Sequence, residues 1–322
     1  MNATENRDPY KVNSLVLTSE VSPLHGHVIW DRPRSLWNGF ILLGTLILAP
    51  IYFSWSAVCI FLALSAVTLC SGHSVGFHRR LVHRSFQCPK WLEYILVYMG
   101  TLVGMGGPLW TIRTHDMRDW SQRQPACHPF LAHGHSLLKD GFWNLHCRLI
   151  LDHPPGFDAG EFGQDRYYLF LQKTWMLHQI PIGIALFLMG GLPWVAWGVF
   201  VRVAACTTMH WFISYFAHTS GPQHWVVDGA CVQAHDVPIA AIMTMGESWH
   251  NNHHAFPGSA RHGLYPGQSD PGYRFIQVLA WLGLAWNVQT PAILPPRKGI
   301  TPVHPDALSV AAPGQAGLIG SS

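Results

Sequence analysis

Between Ser35 and His78 the chain runs for 44 residues without an Asp, Glu, Lys or Arg. At about 1.5 Å per residue, a helix of that length covers roughly twice a ~30 Å hydrocarbon core. Pro50, Ser54 and Ser56 interrupt the run near its middle. The simplest reading is a tight hairpin of two spans, Trp37 to Phe53 and Trp55 to Gly72. A second such stretch lies between Lys173 and Asp228 and holds a single charged residue, Arg202. Gly190, Gly191, Leu192 and Pro193 supply its turn, which predicts spans near 175–189 and 194–218. Arg202 is costly in lipid and is expected to face the bundle interior.

Composition agrees with this reading. Of 322 residues, 49% are hydrophobic and 11% charged, against about 25% charged in soluble domains. A net charge of +3 without a long basic run excludes a nucleic-acid partner. The first 34 residues are polar and mixed in charge, so no cleavable signal peptide is expected and the first span acts as the insertion signal. Arg32 and Arg34 precede the first span, Arg79, Arg80 and Arg84 follow the second, and Lys173 precedes the third. The hairpin tips carry no Lys or Arg. By the positive-inside rule both termini and the long middle segment are cytoplasmic. The expected fold is therefore an all-α integral membrane protein with four transmembrane helices in two hairpins and a cytoplasmic histidine-rich helical cap. Residues 1–34 form a cytoplasmic N-terminal segment, 35–290 the membrane domain, and 291–322 a disordered tail rich in Pro, Gly and Ala. The uncharged run from Tyr94 to Ile112 reads as an interfacial or re-entrant helix.

Histidine is the anomaly, with 21 copies against 20 Lys and Arg together. His250, His253 and His254 stand at i, i+3 and i+4 and share one helical face. Neutral imidazoles so placed converge on a metal, with iron, zinc and copper all acceptable. His78 and His83 lie just beyond the second span, but five α-helical residues leave their rings about 140° apart. They must flank a cleft or sit beside a break in the helix. His115 and Asp119 are i and i+4, an imidazole and a carboxylate on one face, while Arg118 between them cannot ligate a cation. His218 ends the fourth span, one turn after Ser214. The seven cysteines are scattered and none forms a C-x-x-C pair, so they read as reduced structural thiols.

These segments resemble the three histidine boxes of the membrane fatty acid desaturases, most closely the acyl-CoA branch related to stearoyl-CoA desaturase. Gly76-Phe77-His78-Arg79 through His83 matches the first box, and Gly246-Glu247-Ser248-Trp249-His250-Asn251-Asn252-His253-His254 matches the third. Trp211 to His218 is similar to the end of that family's fourth span. The second box departs from the pattern: the family has adjacent histidines where this chain has Arg118 and Asp119, and an asparagine where it has Ser214. The resemblance implies a two-iron centre on His78, His83, His115, His218, His250, His253 and His254. Asp119 stands in for one missing ligand, and His128, His133, His135, His146 and His210 are open candidates for another. Asp116, Ser214 and Glu247 are expected to orient the ligands.

It further implies oxygen-dependent desaturation of a fatty acyl chain in a lipid membrane, with no catalytic side chain beyond the ligands. Electrons are expected from a separate b-type cytochrome, or a ferredoxin, with its reductase, because no nucleotide-binding pattern or haem domain is present. Hydroxylation, acetylenation or decarboxylation on the same scaffold, or a non-redox membrane metal-binding protein, are the alternatives.

Overall fold

A computed structural model describes residues 8–310. The fold is mostly helical. Helix α1 (Arg32–Ile51) begins at Asp31, whose side chain accepts from Arg34 N, and carries Pro50 in its last turn. Ser54 then caps α2 (Trp55–Val67), accepting from Ala57 N, and the same rod continues through residues 68–82 with π-type turns. Helices α3 (Lys90–Leu102), α4 (Pro108–Gln122) and α5 (Leu137–His146) follow, then the short α6 (Glu161–Gln164) and α7 (Arg166–Thr174). Helix α8 (Gln179–Val195) breaks at Gly191, whose φ is +67°, and leads through π-type turns at 196–201 into α9 (Arg202–Ala217). The short α10 (His250–Ala255) and the longer α11 (Pro271–Trp281) complete the set.

Among the described residues, three helical stretches are long and apolar enough to cross a membrane: Arg32–Ile51, Trp55–Val82 and Gln179–Ala217. Their apolar side chains face outward: Leu36, Phe40, Leu43 and Leu46 on α1, and Ile180, Ile184 and Leu188 on α8, are exposed. Such a continuous apolar surface requires lipid. At Gly191 the chain turns back on itself, and Gly198 packs against Leu186 so closely that a Cβ would stand 2.6 Å from its Cδ1. The break lies within the Gly190–Pro193 turn expected from sequence.

Arg202 lies inside, fully buried. It donates to Gly198 O (2.7 Å), Leu102 O (2.6 Å) and Gln179 Oε1 (2.6 Å). The apolar run from Tyr94 to Ile112 is not one helix. It splits between α3 and α4 at Gly104, whose φ is +84°, and Arg202 and Gln179 both hold the carbonyl left at the end of α3.

The mostly helical scaffold also carries, among the described residues, six short strands in three antiparallel pairs: β1 (Leu15–Val16) with β4 (Gly156–Phe157), β2 (Ser22–Trp30) with β3 (Cys147–His153), and β5 (Trp225–Val227) with β6 (Ile300–Pro302). One sequence expectation needs correction: the tail is not disordered from residue 291. Leu294 and Ile300 are buried beside Trp225 and Phe256, and Arg297 donates to the carbonyls of His254 and Ala255. Proline and glycine composition hid a segment anchored by one buried arginine and two apolar side chains. Residues 311–322 of that tail lie outside the described residues.

Arg202→Met is expected to cost about 2–3 kcal/mol, because it leaves the Gln179 amide oxygen buried without its charged donor. Adding Gln179→Leu should recover part of the loss, since removing both partners is less costly than removing one. Thermal unfolding in detergent checks both.

Candidate metal centre

The first box lies on the π-type segment, and this resolves its spacing. Hydrogen bonds there run from i to i+5: His83 N donates to His78 O (3.0 Å), so two residues five apart come onto one side. The rings sit with centroids 4.7 Å apart. Glycine lets α3 brace this segment, since a Cβ on Gly76 would lie 2.6 Å from Leu96 O.

Two histidine groups result. In the first, one nitrogen each from His78, His83, His115 and His253 lies within 4.8 Å of the others. His78 Nε2 is 3.0 Å from His115 Nε2 and 3.1 Å from His83 Nε2. In the second, His218, His250 and His254 meet under the same limit, with His250 Nε2 3.1 Å from His218 Nε2. Helix α10 serves both: His250 and His254, at i and i+4, enter one group, and His253 from the adjoining face enters the other.

The donor set fits a metal ion. Glu247 Oε2 lies 2.5 Å from His78 Nδ1, which draws the ring proton to that side and leaves Nε2 a lone pair. One lone pair accepts from one neighbour, yet two Nε2 atoms face it. His218 Nδ1 donates to Ser214 O (2.7 Å), again aiming Nε2 inward. Both ring nitrogens of His253, which is 1% exposed, have no hydrogen-bond partner. Buried polar atoms are rarely left so, and a cation between the rings satisfies all of them. Burial holds His83, His253 and His254 well below the ordinary histidine pKa, and His250 at about 4. These imidazoles are therefore neutral, the form that ligates. Burial also opposes charge on His115, but Asp119 and Asp116 outweigh it and raise its pKa.

Asp119 lies beside the second group. Its Oδ1 is 3.7 Å from His254 Nε2 and its Oδ2 accepts from Arg123 (2.9 Å). Burial penalises its charge, but Arg123 and the surrounding histidines hold its pKa down at about 2. Arg118 points elsewhere. It donates to Asn144 Oδ1 (2.7 Å) and contacts Ser214 Oγ (3.4 Å) and His133 Nε2. Ser214 thus belongs to the arginine's network, and its backbone, rather than its hydroxyl, orients His218. Asp116 Oδ1 is 3.5 Å from His115 Nδ1, while Oδ2 accepts from Ser14 N and Oγ.

None of the other histidines named as spare ligands joins either group. His133 stacks on His218 at 5.2 Å with its Nδ1 2.8 Å from Asp140. His210 packs against His73, and His146 bonds Ser35. Sequence reasoning missed His262 and its support. This buried ring is 4.7 Å from His253 and sits with His78 and Glu247 in a third close group. Arg79, itself fully buried, reaches His262 Nδ1 (3.1 Å), Asp270 Oδ1 (2.9 Å) and Ser74 Oγ (2.9 Å). The only signal was a histidine and an aspartate downstream of the third box, with no spacing to join them.

No family model matches the chain. Among curated proteins it is similar to an sn-1 stearoyl-lipid 9-desaturase of Anabaena variabilis, 37% identical over 80% of this chain and 95% of the relative. It is 35% identical to acyl-CoA 5-desaturase AL21 of Anemone leveillei, covering 84% of this chain and 85% of the relative. A second sn-1 stearoyl-lipid 9-desaturase, from a Synechocystis strain, is 36% identical over 78% and 77% of the two chains. With its histidine groups assembled as the boxes require, the chain belongs to the membrane fatty acid desaturases, oxidoreductases that act on fatty acyl chains.

Proposed function

We propose that the protein inserts a double bond into a membrane-delivered fatty acyl chain, using two irons held by the two histidine groups. The convergence of seven box histidines on two adjacent centres carries this reading. His78, His83, His115 and His253 are assigned to the first iron, and His218, His250, His254 and Asp119 to the second. Four side chains of this chain would hold each iron. An unactivated methylene has no acidic proton, so the bound irons supply the oxidising power that side chains lack.

The reaction takes two hydrogens from adjacent methylenes and, with O2, two electrons and two protons, yields an alkene and two waters. The electrons come from a separate carrier, a b-type cytochrome or ferredoxin with its reductase. The protein's own work is to hold the ligands: Glu247 fixes His78, Asp116 supports His115, Arg123 fixes Asp119, and the carbonyl of Ser214 aims His218. Four spans in two hairpins, with both termini and the centre on the cytoplasmic side, fit the reversal at Gly191. They also fit the charge-free hairpin tips.

Asp119 as a ligand makes a sharp expectation. The native protein should bind two irons per chain and convert a saturated acyl substrate to its mono-unsaturated product. Asp119→Ala should retain one iron and lose at least about 100-fold in turnover, as read by iron assay and gas chromatography of acyl products. A hydroxylated or shortened product from the native protein would reassign the reaction. Glu247→Gln should weaken iron binding about 10–100-fold through His78, measurable by chelator competition.

A further inference from the structure

Cys127 and Cys231 are 104 residues apart in sequence, yet their sulfurs lie 3.4 Å from one another. The backbone brings them there. Cys231 N donates to Gln124 O (2.9 Å) and Val232 N to Gln122 O (3.3 Å), so the segment after α9 runs along the end of α4. Cys231 Sγ also lies 3.6 Å from Gln122 O. Cys231 is exposed and Cys127 half-buried. Burial and the neighbouring sulfur push the Cys127 thiol up to about 12, which leaves the exposed Cys231 to meet an oxidant first.

We propose that Cys127 and Cys231 are a reversible dithiol–disulfide pair that clamps the second-box helix to the segment leading into the third box. Helix α4 carries His115 and Asp119 and ends at Gln122, five residues before Cys127. Five residues after Cys231, Asp236 Oδ1 accepts from Asn251 N (2.9 Å) at the start of α10. A bond between the sulfurs therefore ties together the two elements that supply Asp119 and the three α10 histidines. The backbone hydrogen bonds at Cys231 and Val232 hold this segment against the end of α4, where the two sulfurs face one another.

The oxidant is hydrogen peroxide, the two-electron reduction product of the oxygen this enzyme consumes. The Cys231 thiolate attacks one peroxide oxygen, the O–O bond breaks, and hydroxide leaves with a sulfenic acid on Cys231. The Cys127 sulfur then displaces hydroxide from that sulfur and gives up its proton. Two thiols and one peroxide become one disulfide and two waters, and a dithiol reductant reverses the change.

The test uses the full chain in detergent, exposed to graded hydrogen peroxide and then alkylated and digested for mass spectrometry. The free-thiol count, seven in the reduced chain, should fall by two, with a peptide cross-linked between Cys127 and Cys231 that dithiothreitol releases. Cys127→Ser should instead stop at a sulfenic acid on Cys231, captured by dimedone, and keep the basal desaturation rate. Amide exchange near residues 119–126 and 228–236 should slow in the cross-linked form. A peroxide-treated chain in which Cys231 advances to sulfinic acid while Cys127 remains alkylatable overturns the proposal, as does a cross-link that leaves exchange in both segments unchanged.

Discussion

Everything in this molecule turns on the crowding of neutral imidazoles in a place where water cannot relieve them. His78 Nε2 has two other ring nitrogens at 3.0 and 3.1 Å, and His253 has no partner for either of its own. Such an arrangement is unfavourable for the bare side chains and becomes favourable only around a cation. The surrounding protein is built to hold the rings in that position. Glu247 and the Ser214 carbonyl take the outward ring protons, while Asp270 gathers Arg79 and the amides of His262, Gly263 and Tyr273 around one buried carboxylate. Gly246 adopts a φ of +92° beneath it, where a Cβ would lie 2.3 Å from Asp270 Oδ1.

The altered second box fits within the same scheme. In the proposed centre Asp119, held by Arg123, stands where the family pattern has an imidazole and would bring a hard anionic donor to the second iron. Arg118 does not compete for metal, because Asn144, Ser214 and His133 hold its guanidinium in a separate buried network. That network has its own anchor in Asp140, which also accepts from Trp211 Nε1 (2.8 Å) on α9. The two substitutions divide the labour of the replaced histidines: one stays at the centre and the other packs α4 against α5 and α9.

Much of this was legible in the sequence. Forty-four residues without Asp, Glu, Lys or Arg point to membrane-crossing helix, and i, i+3, i+4 histidines share a face on any short helix. The placement of His78 and His83 was not, because an α-helix would leave their rings about 140° apart and the segment winds with π-type turns instead. Arg79 counted as a topology-setting surface charge, but it is buried against Asp270, a contact between residues 191 apart in sequence. His262 and the Cys127–Cys231 pair escaped for the same reason: their meaning depends on long-range contacts that no local spacing encodes. The tail misled through composition, since one buried arginine outweighed its prolines and glycines.

The central claim is that these histidines and Asp119 hold two irons side by side. Anomalous diffraction from the purified protein, recorded on either side of the iron absorption edge, tests it directly. The account predicts two peaks, one among His78, His83, His115 and His253, the other among His218, His250 and His254 with Asp119 in contact. A single peak, or two peaks that appear only at the zinc edge, would contradict it.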